Sequence, residues 1–270
     1  MKTIVITGAS DGIGAEMARQ LAARHGAGVA LVLAARQASR LAQVASQCNA
    51  QGARTLVVPT DVSQEAACRH LIASAVTEFG GIDVLINNAG VSAQALFEDV
   101  QSENLGWYEQ LMRVNFWGSV WCTHAALPYL KQSRGRIVAV SSLAGLVGVP
   151  GRTAYSASKF AMTGFFEALR AELRHTGVSV TTAYPGVVAT DIRHRGFNAA
   201  GVAAGTSGLK EDQAMGVATC AQLILQGLDR RQREVVMTAK GRLGRWLKLI
   251  APAQVEAMAM AALKDEVKPR

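Results

Sequence analysis

Cysteine is scarce, and what little there is excludes two kinds of protein. Cys48, Cys68, Cys122 and Cys220 are four in 270 residues, far apart and without a C-x-x-C pair. That spacing argues against a disulfide framework and against a structural zinc site, and it marks the four as reduced packing residues. The histidines, His25, His70, His124, His175 and His194, show no H-x-x-x-H spacing, so no metal ligand is assigned and metal catalysis is not expected. Proline is also sparse, at 6 residues against 26 glycines, while half the chain is hydrophobic. This balance fits an ordered globular protein and excludes a disordered one. Repeats and low-complexity segments are absent.

Long apolar runs are missing too: no stretch of 18 offers a membrane span. The opening "MKTIVITG" passes at once into an apolar strand pattern, with no room for a charged leader and cleavage site. The expectation is a cytoplasmic protein. The net charge of +8 belongs to the tail, because residues 230–270 hold ten Lys or Arg against four Asp or Glu. The body lacks a basic face interleaved with stacking aromatics, so nucleic acid is not an expected partner.

What is present is a regular alternation. Seven short runs, "TIVITG" (3–8), "GVALVLAA" (28–35), "RTLVVPTD" (54–61), "IDVLINNAG" (82–90), "GRIVAVSS" (135–142), "GVSVTTAYPG" (177–186) and "REVVM" (233–237), are separated by longer Ala/Leu-rich helical patterns. Apolar runs that do not alternate with polar residues indicate strands covered on both faces, and helical crossovers between them demand a parallel sheet. The fold class is therefore α/β: a single-domain, doubly wound, Rossmann-type fold with a seven-stranded parallel sheet flanked by helices.

The first strand leads into "TGASDGIG" (7–14) and then a helical pattern with Ile13, Met17 and Leu21 on one face. Glycines let the backbone approach a phosphate, and a helix N-terminus presents free N–H groups and a positive dipole end. Further on, "TAYSASKF" (153–160) sets Tyr155 four positions before Lys159 with only small residues between. On a helix these two share a face and can act on a common object.

Taken together, these segments resemble the short-chain dehydrogenase/reductase family. Gly8, Gly12 and Gly14 match its G-x-x-x-G-x-G loop, "NNAG" (87–90) its motif after strand 4, Asn115 its helix asparagine, Ser142 its serine, and "YPGVVATD" (184–191) its segment along the nicotinamide side. The resemblance implies a catalytic set of Asn115, Ser142, Tyr155 and Lys159. Tyr155 would be the acid and Ser142, in preference to Ser141, the positioning donor. Asn115 would help hold a water, and Lys159 would bond the nicotinamide ribose. A phenol exchanges protons poorly near neutrality unless a positive charge favours phenolate, and Lys159 is the expected source of that charge. The resemblance also implies cofactor contacts from Gly8, Ser10, Gly12, Ile13 and Gly14, from Asp61 and Val62 at the adenine, from Asn88, Ala89 and Gly90, and from Pro185, Gly186, Val188 and Thr190, with Tyr155 and Lys159.

NADP(H) is expected over NAD(H). The end of strand 2 reads "LVLAARQASR", lacking the acidic residue that holds a ribose 2′-hydroxyl and offering Arg36 as a forked cation for a 2′-phosphate. Asp11 departs from the pattern, since many NADP-dependent members carry Lys or Arg there.

The expected organisation is a dinucleotide-binding and catalytic domain over 1–240, including a lid over 191–215, and a basic amphipathic tail over 241–270. With "LVGVPGR" (146–152), the lid would build an apolar wall for a hydrophobic carbonyl or alcohol, and Arg193, His194 and Arg195 read as solvated loop charges. In the tail, Leu243, Trp246, Leu247 and Ile250 share one face, and Pro252 breaks the helix. Such a helix suits peripheral contact with a membrane, its own domain or a second subunit. A homodimer or homotetramer is expected. The "LAARQ" strand end and the tail also resemble the branch containing 11β-hydroxysteroid dehydrogenases. The function expected is NADP(H)-dependent interconversion of a ketone or aldehyde and an alcohol by hydride transfer. The alternative is a non-catalytic dinucleotide sensor on the same fold, against which the intact set of four argues.

Overall fold

Strand residues of this chain divide between two cores by simple alternation. A computed structural model describes residues 1–205 and 214–267. All seven expected strands form: β1 (Lys2–Thr7), β2 (Val29–Ala35), β3 (Arg54–Pro59), β4 (Val84–Asn87), β5 (Arg136–Val140), β6 (Ser179–Tyr184) and β7 (Glu234–Val236). They make one sheet in the order β3-β2-β1-β4-β5-β6-β7, every pair parallel. Because successive side chains on a strand point to opposite faces, Ile4, Ile6, Leu31 and Leu33 pack on one side. Val5, Val32, Leu85 and Ile137 pack on the other.

Helices α1 (Gly12–His25), α2 (Ala38–Asn49) and α7 (Val217–Asp229) cover the first face through Met17, Leu41 and Ile224. Helices α3 (Glu65–Phe79), α5 (Gly118–Ser133) and α6 (Thr153–Glu172) cover the second through Leu71, Leu130 and Phe166. Each fully buried side chain of this size stabilises the fold by roughly 1.5–3 kcal/mol. All four cysteines are free thiols buried in these two layers, and burial pushes Cys220 up to about 12. Among the described residues no cluster of His, Cys, Asp and Glu could hold a metal ion.

Strand order reverses between β1 and β4, and at such a switch point the loops leaving the two strands diverge and open a crevice. Short helix α4 (Gly106–Met112) continues through a π-helical turn at 113–117 into α5 beside that crevice. Helices α8 (Ala239–Ile250) and α9 (Pro252–Val267) lie over the segment 143–151. Leu143 fits against Gly241, Lys248 donates to the Leu146 carbonyl at 3.2 Å, and Leu263 meets Gly151. The break expected at Pro252 separates the two helices.

Of the expected lid, 191–205 and 214–215 are described and 206–213 lie outside the described residues, as do 268–270 of the tail. The described part is tied to the loop after β4. Phe197 donates its N–H to the Ser92 carbonyl at 3.0 Å and accepts from Gln94 N at 2.8 Å, while its ring stacks on Trp107.

Candidate active site

The crevice holds a cavity of about 470 Å³ that runs from Arg36 past the glycine loop to Tyr155, a size typical of small-molecule sites. Every residue expected at the cofactor or in catalysis lines it except Gly14 and Asn115. Gly14 serves by being small: a Cβ there would stand 2.2 Å from the Gly8 carbonyl oxygen. Gly8 itself has φ +67°, a conformation that disfavours any side chain. The ends of β1 and β4 are stitched together by Thr7 and Asn88. Thr7 Oγ1 accepts from Asn88 N and Ala89 N, both at 3.0 Å, and the Asn88 amide donates to the Thr7 and Gly8 carbonyls. These close approaches fit a dinucleotide laid against backbone at the N-terminus of α1.

Ser142 and Ser141 turn opposite ways at the end of β5, as alternation requires. Both line the cavity, but Ser141 Oγ is buried and donates to the Lys159 carbonyl at 3.2 Å, whereas Ser142 accepts from Ala144 N and shares a hydrogen bond with the Tyr155 phenol. Tyr155 and Lys159 sit one turn apart on α6, as expected. Burial pushes the Tyr155 phenol up, opposed by hydrogen bonding to Ser142 and by the charges of Arg152 and Arg193. Lys159 is 3% exposed, and burial lowers its ammonium to about 8, so it stays protonated at neutral pH. Its Nζ donates to the Val140 carbonyl at 3.0 Å, 5.8 Å from the centre of the Tyr155 ring.

Two arginines therefore join the site that the sequence reading did not place there. Arg152 is held by Ser92 Oγ at 3.4 Å and Gln94 Oε1 at 3.3 Å, and Arg193 donates to the Val188 carbonyl at 3.1 Å. They are 8% and 7% exposed and both line the cavity. The expectation that Arg193 is a solvated loop charge is corrected: the turn after β6 folds inward and buries it against the Val188 carbonyl in the cavity wall. For Arg152 a signal was available, since R-x-x-Y sets it one turn before Tyr155.

Asn115 is fully buried in the π-helical turn. Its Oδ1 accepts from Val91 N at 2.8 Å, and its Nδ2 donates to the Val91 carbonyl at 3.0 Å and to Ser158 Oγ at 2.9 Å. Ser158 in turn donates to the Tyr155 carbonyl at 2.8 Å. Both amide donors are thus committed to protein partners. The asparagine ties the loop after β4 to the helix carrying Tyr155, with Ser158 as the link that sequence spacing did not reveal.

At the end of the cavity away from Tyr155, Arg36 is exposed, lines the wall and makes no ion pair among the described residues. The carboxylate of Asp11, which departs from the pattern, pairs with Arg40 at 3.3 Å and with Arg195 at 2.5 Å. Such exposed pairs contribute at most about 1 kcal/mol each.

The short chain dehydrogenase family model matches residues 2–200. Among curated proteins, an 11-beta-hydroxysteroid dehydrogenase 1A of Arabidopsis thaliana is 36% identical over 94% of this chain and 73% of its own length. A dehydrogenase/reductase SDR family protein 7-like of Dictyostelium discoideum is 33% identical over 99% of this chain and 83% of its own length. Among solved structures, an alcohol dehydrogenase from Thermococcus sibiricus complexed with 5-hydroxy-NADP superposes with a TM-score of 0.73, at 24% identity, over 88% of this chain and 96% of its own. A short-chain alcohol dehydrogenase structure from Sinorhizobium meliloti, 30% identical, superposes with a TM-score of 0.65 over 71% of this chain and 74% of its own.

Proposed function

The chain belongs to the short-chain dehydrogenase/reductase family, in the company of 11β-hydroxysteroid dehydrogenase-like proteins, and is an oxidoreductase acting on CH–OH groups; on that premise we propose that it is NADP(H)-dependent and interconverts a hydrophobic ketone or aldehyde with its alcohol. The observation that carries this reading is the convergence of Ser142, Tyr155 and Lys159 on one cavity with the glycine loop and Arg36. The sensor alternative falls with the family's oxidoreductase character.

A nicotinamide held in the cavity would supply or accept the hydride. The remaining work belongs to side chains of the chain. A carbonyl that gains a hydride becomes an alkoxide, so its oxygen needs a positioned donor and a proton source. Ser142 hydroxyl orients that oxygen, and the Tyr155 phenol gives up its proton there, or takes one in the reverse direction. Arg152 and Arg193 stabilise the phenolate that results, because positive charge in a site shielded from water acts strongly; Lys159, bonded to the Val140 carbonyl, is placed to hold the ribose instead. Asn115 positions Tyr155 through Ser158. Arg36 binds the 2′-phosphate, and the absence of an acid at Ala34 and Ala35 removes the usual anchor for a free 2′-hydroxyl.

The apolar lining around Tyr155, which includes Val91, Leu143, Val149 and Ile192, supports a substrate with an apolar body, steroid-, lipid- or xenobiotic-like. The relatives named as hydroxysteroid dehydrogenases point the same way. Residues 1–240 would then act as the catalytic domain and 241–270 as a tail.

On the tail, Leu243, Trp246 and Ile250 are 66%, 62% and 82% exposed, with Arg242 and Lys248 beside them. This face supports peripheral contact of a cytoplasmic protein with an anionic membrane. No helix among the described residues is long and apolar enough to cross one. Co-sedimentation with anionic vesicles tests the contact, and protein left in the supernatant removes it. The exposed Trp117, stacked on Trp121, supports assembly as a homodimer or homotetramer. The experiment for the activity is a panel of apolar carbonyl compounds and their alcohols followed by NADPH absorbance: NADPH consumed with a ketone or aldehyde, or formed from NADP+ with an alcohol, is expected, and neither with any of them refutes the proposal.

A further inference from the structure

We propose that Arg195 is a ligand for the cofactor's diphosphate, held in readiness by Asp11, whose carboxylate stands in for that anion until the dinucleotide arrives. The inference rests on the dinucleotide-binding reading of the cavity and adds a residue outside the motif segments that carry it.

The donors gathered on Asp11 are those a phosphate would collect. Its Oδ1 accepts from Gly12 N at 2.6 Å, at the N-terminus of α1, and its Oδ2 takes Arg195 Nη2 at 2.5 Å and Arg40 Nη1 at 3.3 Å. A helix N-terminus and a forked guanidinium both favour a diphosphate. Asp11 and Arg195 both line the cavity, as do Gly12, Ile13 and Thr190. Thr190 meets Gly12 across the groove, where a Cβ on the glycine would stand 3.2 Å from the threonine methyl. The Asp11–Arg195 pair therefore links the glycine loop to the turn after β6 across the cavity that both residues line.

The pair is weakly held. Arg195 and Asp11 are 52% and 37% exposed, so solvent screens their attraction. A second carboxylate, Asp191, lies 3.7 Å from the same guanidinium. A diphosphate carries more charge than either carboxylate and accepts through several oxygens, so it takes the guanidinium from Asp11. Asp11 is not stranded by the exchange, because Arg40, which does not line the cavity, keeps it paired. Its cap on Gly12 also remains. The consequence for the acidic residue in the glycine loop is that it opposes the cofactor twice, by repulsion and by competing for Arg195.

The test is titration of NADPH and of NADH by fluorescence against the wild type, Arg195→Gln, Arg195→Lys, Asp11→Asn and the double variant. Asparagine keeps a side-chain oxygen for the Gly12 cap, so Asp11→Asn removes the charge and leaves the helix start intact. Arg195→Gln is expected to weaken both nucleotides alike by roughly tenfold, the scale of one charge-assisted hydrogen bond. Arg195→Lys should recover most of that loss. Asp11→Asn is expected to tighten both nucleotides by roughly threefold, and to do so less when Arg195 is already Gln, since the competition is then gone. Unchanged binding in Arg195→Gln, a loss confined to NADPH, or weaker binding in Asp11→Asn would each overturn the assignment. A wild type that binds neither nucleotide would bring down the dinucleotide reading itself, and this proposal with it.

Discussion

Lys159 and Tyr155 share one face of α6, yet the ammonium makes no hydrogen bond to the phenol oxygen. It donates to the Val140 carbonyl at the end of β5, 5.8 Å from the centre of the Tyr155 ring. The positive charges opposing the effect of burial on the phenol come from Arg152 and Arg193. Lys159 is thereby fixed at the strand end beside the cavity, while the charges that act on the phenol are those of the two arginines.

Replacing Tyr155 by Phe removes the proton source and at most one of many implied nucleotide contacts, leaving the glycine loop, Arg36 and Lys159 in place. Turnover should fall by about a hundredfold or more, the usual scale for loss of a general acid. NADPH affinity by fluorescence titration should stay within about threefold, well short of one lost charge-assisted bond. Full turnover in this variant would refute the catalytic assignment.

Arg36→Ser should separate the two nucleotides. NADPH dissociation should rise by about ten- to a hundredfold, and NADH should be unaffected, because only the former carries the 2′-phosphate. Equal losses for both would show that Arg36 supports the loop instead of reading the phosphate.

Burial of Lys159 leaves a signature in stability. Its ammonium titrates near 8 in the folded chain and at 10.5 ordinarily, so between these values the unfolded chain binds more protons and stability rises with pH. Below pH 8 the whole effect opposes folding, by about 3 kcal/mol. Without cofactor, Lys159→Met should therefore unfold at higher urea than the wild type at pH 7. The gap should close as pH rises from about 8 to 10.5; a gap independent of pH argues against the shift.

Asn115→Ala leaves the N–H and carbonyl of Val91 without their buried partner and frees Ser158. Each such group costs about 1–3 kcal/mol, so urea unfolding should show a loss of about 2–4 kcal/mol together with reduced turnover. Loss of turnover with stability intact would mean that the amide acts directly in proton transfer.

Gly164 is exposed in the middle of α6, with nothing within 4 Å of a Cβ built on it. Alanine there should stabilise by about 0.5–1 kcal/mol through helix propensity, read as a rise of a few degrees in Tm. A fall instead would place this face of α6 against another subunit, which size-exclusion chromatography of the variant would reveal.

Much of this protein was legible before its structure, and the legible part shares one property. The seven strands, the two-sided cover of the sheet, the glycine loop and the spacing of Tyr155 and Lys159 are local patterns, set by the two-residue repeat of a strand and the turn of a helix. Their site follows once the strand order reverses at β1 and β4. What folding alone decided is the state of the charges. Arg193 and Arg195 are two residues apart in one turn-rich segment, yet the first is buried beside the phenol and the second reaches Asp11, 184 positions away. Asn115 became a clamp on Val91 because a π-helical turn aimed it there. Desolvation and pairing depend on which segments cover a side chain, and covering segments are gathered from the whole length of the chain. No local repeat encodes them.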